Sequence, residues 1–219
     1  DAQLISATIK GSTTEVEAII HGKKNGFTIG APGEHLAMNA LGSLMVCSAL
    51  DVDLEQCMAA LASYRTPKGR GTAKAVRFTE NESFLLIDQS YNASPVATKA
   101  AIDVMAQTDG KRRVAILGDM GELGKNTADL HAGLLEPLQK QKIDVVHCCG
   151  PIIKALFDKL PVYMKGLYAE TSKELAQQIT DEVQDGDIIM VKGSKATKMD
   201  LIVDALSALD TAPKEKIAS

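Results

Sequence analysis

The spacing of apolar positions changes at about residue 70. Before it, short runs of apolar and β-branched residues are separated by turns that contain Gly, and two longer stretches with apolar residues three and four apart follow. The runs predict strands at 4–9, 15–20 and 26–29, and the stretches predict helices at 35–50 and 54–63. Three strands followed by two helices indicate a small α+β unit with an antiparallel sheet.

After Pro67-Lys68-Gly69-Arg70-Gly71, strand-like and helix-like segments alternate. The predicted strands lie at 84–87, 113–117, 145–148 and 188–191, and the predicted helices at 95–107, 127–141, 152–159, 172–183 and 198–209. Alternation of this kind indicates an α/β fold: a Rossmann-like, mostly parallel sheet with helices on both faces. We therefore predict two domains, residues 1–71 and 72–219, and a frayed tail from Thr211 to Ser219.

Charge and hydropathy narrow the classes of function. The chain has 24 Lys and Arg against 28 Asp and Glu, a net charge of −4, which argues against a basic nucleic-acid-binding surface. No apolar run approaches the length of a membrane span, and the first residues lack the basic and then apolar pattern of a signal peptide. We expect a cytoplasmic protein with neither nucleic acid nor a membrane among its partners.

Polar loops follow four predicted strands of the second domain, at 88–95, 118–124, 150–151 and 192–195. Because the carboxyl ends of neighbouring parallel strands meet at one edge of a sheet, these loops are expected to share a site for a polar ligand. The side chains expected there are Tyr91, Asn92, Asp119, Glu122, Lys192 and Ser194. The first loop contains no evident pair of nucleophile and base, which indicates binding rather than a reaction centre.

Two phosphate-binding motifs are incomplete in this chain. Residues Gly118–Lys125 contain glycines followed by Lys, but the spacing is one residue too long for a P-loop, and Asn126 stands where Ser or Thr is needed. No Gly-x-Gly-x-x-Gly follows a strand, so a dinucleotide-binding motif has no support. The segment Val191–Thr197 could hold an anion through backbone N–H groups and two lysines.

Three further residues suit a nucleotide. His35 and Asn39 lie four residues apart at the amino end of a predicted helix, so they project from one face beside free N–H groups. On its own, His35 is more often a capping or packing residue. Arg70 stands between two glycines and is better placed to reach a phosphate than to support a core.

Several of these segments together resemble the Mur ligase family. The segments that carry the resemblance are Gly33–Leu41, Pro67–Gly71, Ile87–Pro95, Ala115–Gly124 with His131 downstream, and Val191–Lys195 with Met199. They extend over nearly the whole chain, in order. The resemblance implies that residues 1–71 are the last portion of the family's central ATPase domain and that residues 72–219 are its carboxy-terminal domain.

The resemblance implies an ATP-dependent peptide ligase of peptidoglycan precursor synthesis. In this family the γ-phosphate activates a carboxylate as an acyl phosphate, which an amine then attacks. The element Gly118–Gly124 resembles the members that add D-alanyl-D-alanine to UDP-N-acetylmuramoyl-tripeptide. The implied cofactors are ATP and Mg²⁺, bound mainly by parts of the parent enzyme that this chain lacks. Without a P-loop the chain alone is expected to be inactive, and no metal ligand is predicted in it.

The resemblance also implies roles for single residues. Asn39, with His35 beside it, would contact the adenine, and Asp88 and Gln89 the ribose. Arg70 would contact the phosphates, and a closing domain that brings it to the transferring phosphoryl group would make it catalytic. The residues implied to hold the dipeptide and close the site are Tyr91, Asn92, Ser94, Asp119, Glu122, Lys192 and Ser194.

The chain departs from the family pattern at three positions. The family usually has Asn where Leu36 stands, a second acidic residue in place of Gln89, and Asn in place of Ser94. A folylpolyglutamate synthase-like ligase, which shares architecture and chemistry, is one alternative. A non-catalytic binding module derived from a Mur ligase is another, favoured by the missing P-loop. Removing a sheet's neighbours exposes apolar edges, so we also expect the chain to self-associate.

Overall fold

The computed structural model describes residues 1–211, which form two compact units. The first unit is Asp1–Thr66 and the second begins at Pro67. The segment Pro67–Gly71 therefore belongs to the second unit, whereas the sequence predicts a domain boundary after Gly71, and the assignment of the two domains stays a prediction. The predicted tail lies outside the described residues from position 212 onward.

The first unit is a three-stranded antiparallel sheet covered by two helices. Its elements are β1 (Ala2–Lys10), β2 (Thr13–Ile20), β3 (Lys23–Ile29), α1 (Glu34–Ala49) and α2 (Leu54–Leu61), with strand order β1-β2-β3. Alternate residues of β2 are buried, and they pack with the buried face of α1 around Leu41 and Leu44. Asp53 caps α2 by accepting a hydrogen bond from the Glu55 N–H at 2.8 Å. The five elements predicted for this region are confirmed.

The second unit contains a six-stranded sheet in the order β4-β5-β9-β6-β7-β8. Its strands are β4 (Thr72–Arg77), β5 (Ser83–Gln89), β6 (Arg112–Gly118), β7 (Val145–Cys149), β8 (Lys165–Ala169) and β9 (Asp187–Lys192). Only the pairing of β4 with β5 is antiparallel among the described strands of this sheet. The predicted mostly parallel sheet is therefore confirmed.

Helices cover both faces of this sheet. They are α3 (Pro95–Ala106), α4 (Thr127–Ala132), α5 (Leu135–Lys140), α6 (Lys154–Phe157), α7 (Ser172–Ala176) and α8 (Asp200–Ser207). One core contains buried residues of α3, α5 and α6, and a second core contains those of α7 and α8. Neighbouring residues Ile116 and Leu117 of β6 enter opposite cores, as the alternation of side chains along a strand requires. Among residues 1–211, no helix has the length and apolar character needed to cross a bilayer.

The predicted elements differ from the structure in two respects. Strands β4 and β8 were not predicted, because each lies at an edge of the sheet and β4 buries only Val76. The helix predicted at 127–141 is two helices, since Pro137 has no N–H to donate to the Gly133 carbonyl four residues earlier. The helix predicted at 172–183 ends at Ala176 and is followed by a 3₁₀ turn, Ile179–Glu182.

Candidate functional site

The carboxyl ends of β5, β9 and β6 lie side by side and form one rim of the sheet. Because β9 lies between the other two strands, its terminal residues reach the loops on both sides. The Lys192 ammonium donates to the Asn92 carbonyl at 3.0 Å, and the Ser194 N–H donates to the Asp119 carbonyl at 2.7 Å. The structure thus brings together the loops that follow three separate strands.

Lys192 is a buried cation at the centre of this rim. It is the last residue of β9 and is 4% exposed. Burial, with a smaller contribution from the positive charge of Arg70, lowers its pKa from 10.5 to about 8. Within residues 1–211 it forms no ion pair, and its described hydrogen bond is to a neutral carbonyl. A buried ammonium without a counter-ion is ready to receive an anion.

Asp88 holds the Pro67–Gly71 segment against the end of β5. Its buried carboxylate accepts hydrogen bonds from the Gly69 N–H at 3.1 Å, from the Ser90 N–H at 3.0 Å and from the Ser90 hydroxyl at 2.6 Å. Gly69 has a φ of +79°, and a Cβ there would lie 2.9 Å from the Tyr91 nitrogen. The sequence predicts a ribose contact for Asp88, and the structure shows that three donors of the protein already occupy this carboxylate.

Two cations lie beside the ring of Tyr91. The Arg70 guanidinium carbon is 4.2 Å from the ring centroid and the Lys195 ammonium is 5.2 Å from it. A cleft of about 240 Å³ adjoins the ring, and we call it the cationic cleft. Its lining residues are Lys68, Gly69, Ser90, Tyr91, Lys195 and Asp200. Lys68 forms an exposed ion pair with Asp204 at 3.4 Å, whereas Arg70 and Lys195 have no ion-pair partner among residues 1–211.

Asp119 organises the other side of the rim. One carboxylate oxygen accepts the N–H groups of Ile152 at 3.0 Å and Ile153 at 2.7 Å, which fixes the turn after β7. Gly150 in that turn has a φ of +119°, and a Cβ there would lie 2.5 Å from the Asp119 carboxyl carbon. The close approach of loop and carboxylate therefore requires glycine.

His131 fixes the loop that carries Asp119. Its imidazole is fully buried, and Nε2 accepts the Met120 N–H at 2.8 Å. Nδ1 lies 2.7 Å from the Thr127 carbonyl, to which it donates, so these two partners assign a neutral ring with the proton on Nδ1. The loop after β6 is thus tied both to α4 and to the turn after β7.

A larger cleft of about 590 Å³ opens on this side, and we call it the mixed-charge cleft. Its charged lining residues are Asp119, Glu170, Lys173 and Lys198, and its apolar ones include Met120, Pro151, Ile152, Ala196 and Leu201. The hydroxyl residues Thr171, Ser172, Ser194 and Thr197 complete the polar lining. The cleft has a volume usual for small-molecule sites, and it carries charges of both signs around an apolar surface. These properties suit a small zwitterion.

Besides Arg70, Asp88 and Lys192, four predicted site residues of the second unit are not among the residues that line either cleft. Ser94 caps α3 by accepting the Ala97 N–H at 3.3 Å, and Asn92 accepts the Ala93 N–H at 2.9 Å through its side chain. Gln89 packs beside Gly71, where a Cβ would lie 3.2 Å from the amide nitrogen. Glu122 is exposed and has a φ of +60°. Ser94 therefore has a structural role independent of any ligand.

The two remaining predicted residues, His35 and Asn39, belong to the first unit. Both are exposed on α1, four residues apart on one face, as predicted. The His35 ring lies over Gly33, where a Cβ would be 2.7 Å from Cε1. Leu36, at the position of a family Asn, packs against the core of this unit.

Several charged residues around the clefts were not among the predicted site residues. They are Lys68, Asp200, Lys198, Glu170 and Lys173. Lys195 is one of the two lysines expected to help segment 191–197 hold an anion, but its proximity to Tyr91 depends on strand order. Glu170 and Lys173 follow β8, so they could be found only by recognising that edge strand.

Comparison with known proteins agrees with this architecture. Residues 76–195, more than half of the chain, match the family model described as Mur ligase, glutamate ligase domain. The UDP-N-acetylmuramoyl-tripeptide–D-alanyl-D-alanine ligase of Rickettsia prowazekii (strain Madrid E) is 30% identical over 203 residues, which cover 93% of this chain and 44% of that relative.

Two solved structures share the fold. MurF from Acinetobacter baumannii has a TM-score of 0.80 at 23% identity, over 95% of this chain and 45% of that one. The MurF ligase from Thermotoga maritima, in complex with ADP, has a TM-score of 0.77 at 22% identity, over 95% of this chain and 46% of that one. The chain spans less than half the length of these proteins. With the family model matched over more than half of its residues, the chain belongs to the Mur ligase family.

Proposed function

We propose that this chain is part of a cytoplasmic, ATP-dependent ligase that adds D-alanyl-D-alanine to UDP-N-acetylmuramoyl-tripeptide in peptidoglycan precursor synthesis. The observation that carries the proposal is the rim itself, where a cationic cleft and a mixed-charge cleft lie on either side of buried Lys192. The proposed reaction needs such a pair of sites, because it brings a phosphate-activated carboxylate to a zwitterionic dipeptide. In our assignment residues 1–71 belong to the central domain and 72–219 to the carboxy-terminal domain.

The cationic cleft is the proposed place of the nucleotide phosphates. Arg70 is exposed and carries a guanidinium without an ion-pair partner in residues 1–211, so it is free to stabilise charge on a transferring phosphoryl group. Since the Asp88 carboxylate holds the loop, we assign the ribose contact chiefly to the adjacent Gln89. Separately, we propose that Asn39, with His35, contacts the adenine through the exposed face of α1.

The mixed-charge cleft is the proposed place of D-alanyl-D-alanine. Its carboxylate would be received by Ser194 of the lining and by Lys192, which is buried two residues earlier at the end of β9, and its ammonium by Asp119 and Glu170. The apolar lining accommodates two methyl side chains. The exposed residues proposed to close over the dipeptide are Asn92, Ser94 and Glu122, whereas Tyr91, which the resemblance also implies for the dipeptide, lines the cationic cleft.

ATP would supply the γ-phosphate that activates the tripeptide carboxylate. The cations around Tyr91 fit its phosphates. In the described part of the chain, no three or more His, Cys, Asp or Glu side chains are grouped to hold a metal ion. We propose that Mg²⁺ is bound mainly by other parts of the parent enzyme.

The test is a ligase assay on the complete protein that contains this chain. UDP-N-acetylmuramoyl-tripeptide and ATP are supplied with D-alanyl-D-alanine or, in parallel, with L-alanine, and the products are identified by mass. The proposal predicts amide formation and ADP release when the dipeptide is supplied, and neither when L-alanine replaces it. Product formed from the single amino acid instead would overturn the proposed acceptor. In a third reaction with a folate, glutamate and ATP, addition of glutamate to the folate would favour the folylpolyglutamate synthase-like alternative.

A further inference from the structure

The side chains of Arg70 and Lys195 approach one aromatic ring from segments far apart in the chain. Arg70 belongs to the segment before β4, and Lys195 follows β9. Their charged groups lie 4.2 Å and 5.2 Å from the centroid of Tyr91, so their separation cannot exceed the sum of these distances. Two positive charges are thereby held beside one ring at the edge of the cationic cleft.

Both cations sit on anchored backbone. The Tyr91 N–H donates to the Gly69 carbonyl at 3.0 Å, and the Gly71 N–H donates to the Asp88 carbonyl at 2.7 Å, which fixes the backbone on either side of Arg70. Lys195 begins a 3₁₀ turn that is closed by the Thr197 N–H donating to the Ser194 carbonyl at 3.0 Å. The electrostatic free energy of bringing like charges together is therefore offset when the chain folds, and it does not reduce the affinity for a ligand.

The ring attracts both cations but cannot neutralise them. A cation above an aromatic face is stabilised by the ring quadrupole, which is weak compared with a full negative charge. No carboxylate pairs with Arg70 or Lys195 within residues 1–211. Asp200 is the acidic residue among those lining the cleft, which two lysines, Lys68 and Lys195, also line. The cleft therefore has an excess of positive charge, which a bound anion would neutralise.

We propose that Lys195 and Arg70 form a two-cation clamp for a phosphate group, with Tyr91 as their common support. This inference rests on the proposed function, in which Arg70 alone was assigned to the nucleotide phosphates. It adds Lys195 as a binding residue and Tyr91 as a positioning residue. A phosphate-sized group matches the small volume of the cleft, about 240 Å³, and the clamp does not depend on the base or ribose.

The test is calorimetric titration of the 219-residue chain with inorganic pyrophosphate and, separately, with ADP, at constant ionic strength. Lys195→Gln is expected to weaken pyrophosphate binding about tenfold, the loss of one charge-assisted contact. Lys140→Gln, an exposed lysine of α5 with the same change in net charge, is the matched control and should change the affinity less than twofold. Asp200→Asn should strengthen binding.

A second pair of variants separates support by the ring from a general effect on folding. Tyr91→Phe keeps the aromatic face and should keep the affinity, whereas Tyr91→Leu should weaken pyrophosphate binding several-fold at unchanged unfolding midpoint. Lys195→Arg should retain binding. Equal affinities for Tyr91→Leu and Tyr91→Phe, or no effect of Lys195→Gln, would overturn the clamp.

The same titrations distinguish this inference from the proposed function. If Arg70→Gln weakens ADP binding while Lys195→Gln does not, the clamp is wrong and the nucleotide site stands. If pyrophosphate does not bind the chain at millimolar concentration, the clamp is also wrong, because all its parts lie in residues 67–195. D-Alanyl-D-alanine binding reports on the mixed-charge cleft, and Lys195→Gln should leave it unchanged.

Discussion

The two sides of the rim of the six-stranded sheet use charge differently. On the β5 side, Arg70 and Lys195 form no ion pair with an acidic residue in the described part of the chain, and the buried carboxylate of Asp88 accepts hydrogen bonds from protein donors. On the β6 to β8 side, acidic and basic residues share one larger cleft. Asp119 there is likewise bound to backbone N–H groups. The comparison indicates that Asp88 serves the loop alone, whereas Asp119 holds a turn through one oxygen and still lines a cleft.

The largest expected effect comes from removing the carboxylate that anchors the β5 side. Asp88→Ala leaves the Gly69 and Ser90 N–H groups without their acceptor, which should destabilise the chain by about 4 kcal/mol. It should also abolish pyrophosphate binding, because the segment carrying Arg70 is released. Urea unfolding measures the first effect and calorimetry the second.

Asp109→Ala is the control for Asp88→Ala, since Asp109 is exposed. This variant should unfold within about 0.5 kcal/mol of the unmodified chain. A stable Asp88→Ala variant that still binds pyrophosphate would contradict the comparison of the two sides, because it would show that the Asp88 carboxylate does not hold the loop.

Lys192 should favour ligand binding at the expense of stability. Burial lowers its folded-state pKa from 10.5 to about 8, so at pH 7 the charged side chain destabilises the fold by about 3 kcal/mol. Lys192→Met should therefore stabilise the chain at pH 7 while weakening D-alanyl-D-alanine binding at least tenfold.

The pH dependence of the free energy of unfolding checks whether charged Lys192 destabilises the fold. The folded protein releases this proton first, so the stability of the unmodified chain should rise between pH 8 and 10.5 relative to Lys192→Met, in which that rise is missing. A variant that loses stability and keeps dipeptide affinity would assign Lys192 to the core rather than to a ligand.

As the pH falls, the β6 to β8 side of the rim should lose stability at a higher pH than the β5 side. His147 of β7 is buried, and its Nδ1 accepts the Leu167 N–H of β8 at 2.8 Å. Burial, reinforced by the charge of Arg112, lowers its pKa from 6.5 to about 4. Its contribution is complete above pH 6.5 and declines as the pH falls towards 4, a loss of about 2 kcal/mol at pH 5.

Hydrogen exchange locates this acid effect. At pH 5, amides of β8 and the following turn should show a larger loss of protection, corrected for intrinsic rates, than those of β4 and β5. His147→Asn, which can keep an acceptor for the Leu167 N–H, should reduce the acid dependence. Uniform loss of protection across the sheet would contradict the assignment to His147.

The smallest effect is expected at Ser94. Its hydroxyl caps α3, so Ser94→Ala should cost about 1 kcal/mol, and Ser94→Asn should recover most of it. Since Ser and Asn are both good caps, this departure from the family pattern is physically small. Thermal unfolding of the three forms measures it, and equal midpoints would show that the cap contributes nothing.

The sequence predicted the sheet better than the chemistry of its rim. The buried strands are continuous apolar runs, and their parallel direction follows from alternation with helices, whereas edge strands β4 and β8 have no such signal. Residue type could not show that Asp88 and Asp119 bind backbone N–H groups, nor that Lys192 is buried. Those properties depend on which loops become neighbours once β9 lies between β5 and β6.

The central claim is that the rim has two separate ligand sides, and two NMR titrations of the ¹⁵N-labelled chain test it most directly. Pyrophosphate is predicted to shift the amide signals of Gly69, Arg70, Tyr91 and Lys195, and D-alanyl-D-alanine those of Gly121, Gly150, Ile152 and Thr171. Each ligand should shift its own set of amide signals equally whether or not the other ligand is already bound. If both ligands shift the same signals, or if one displaces the other, the account of two sides is wrong.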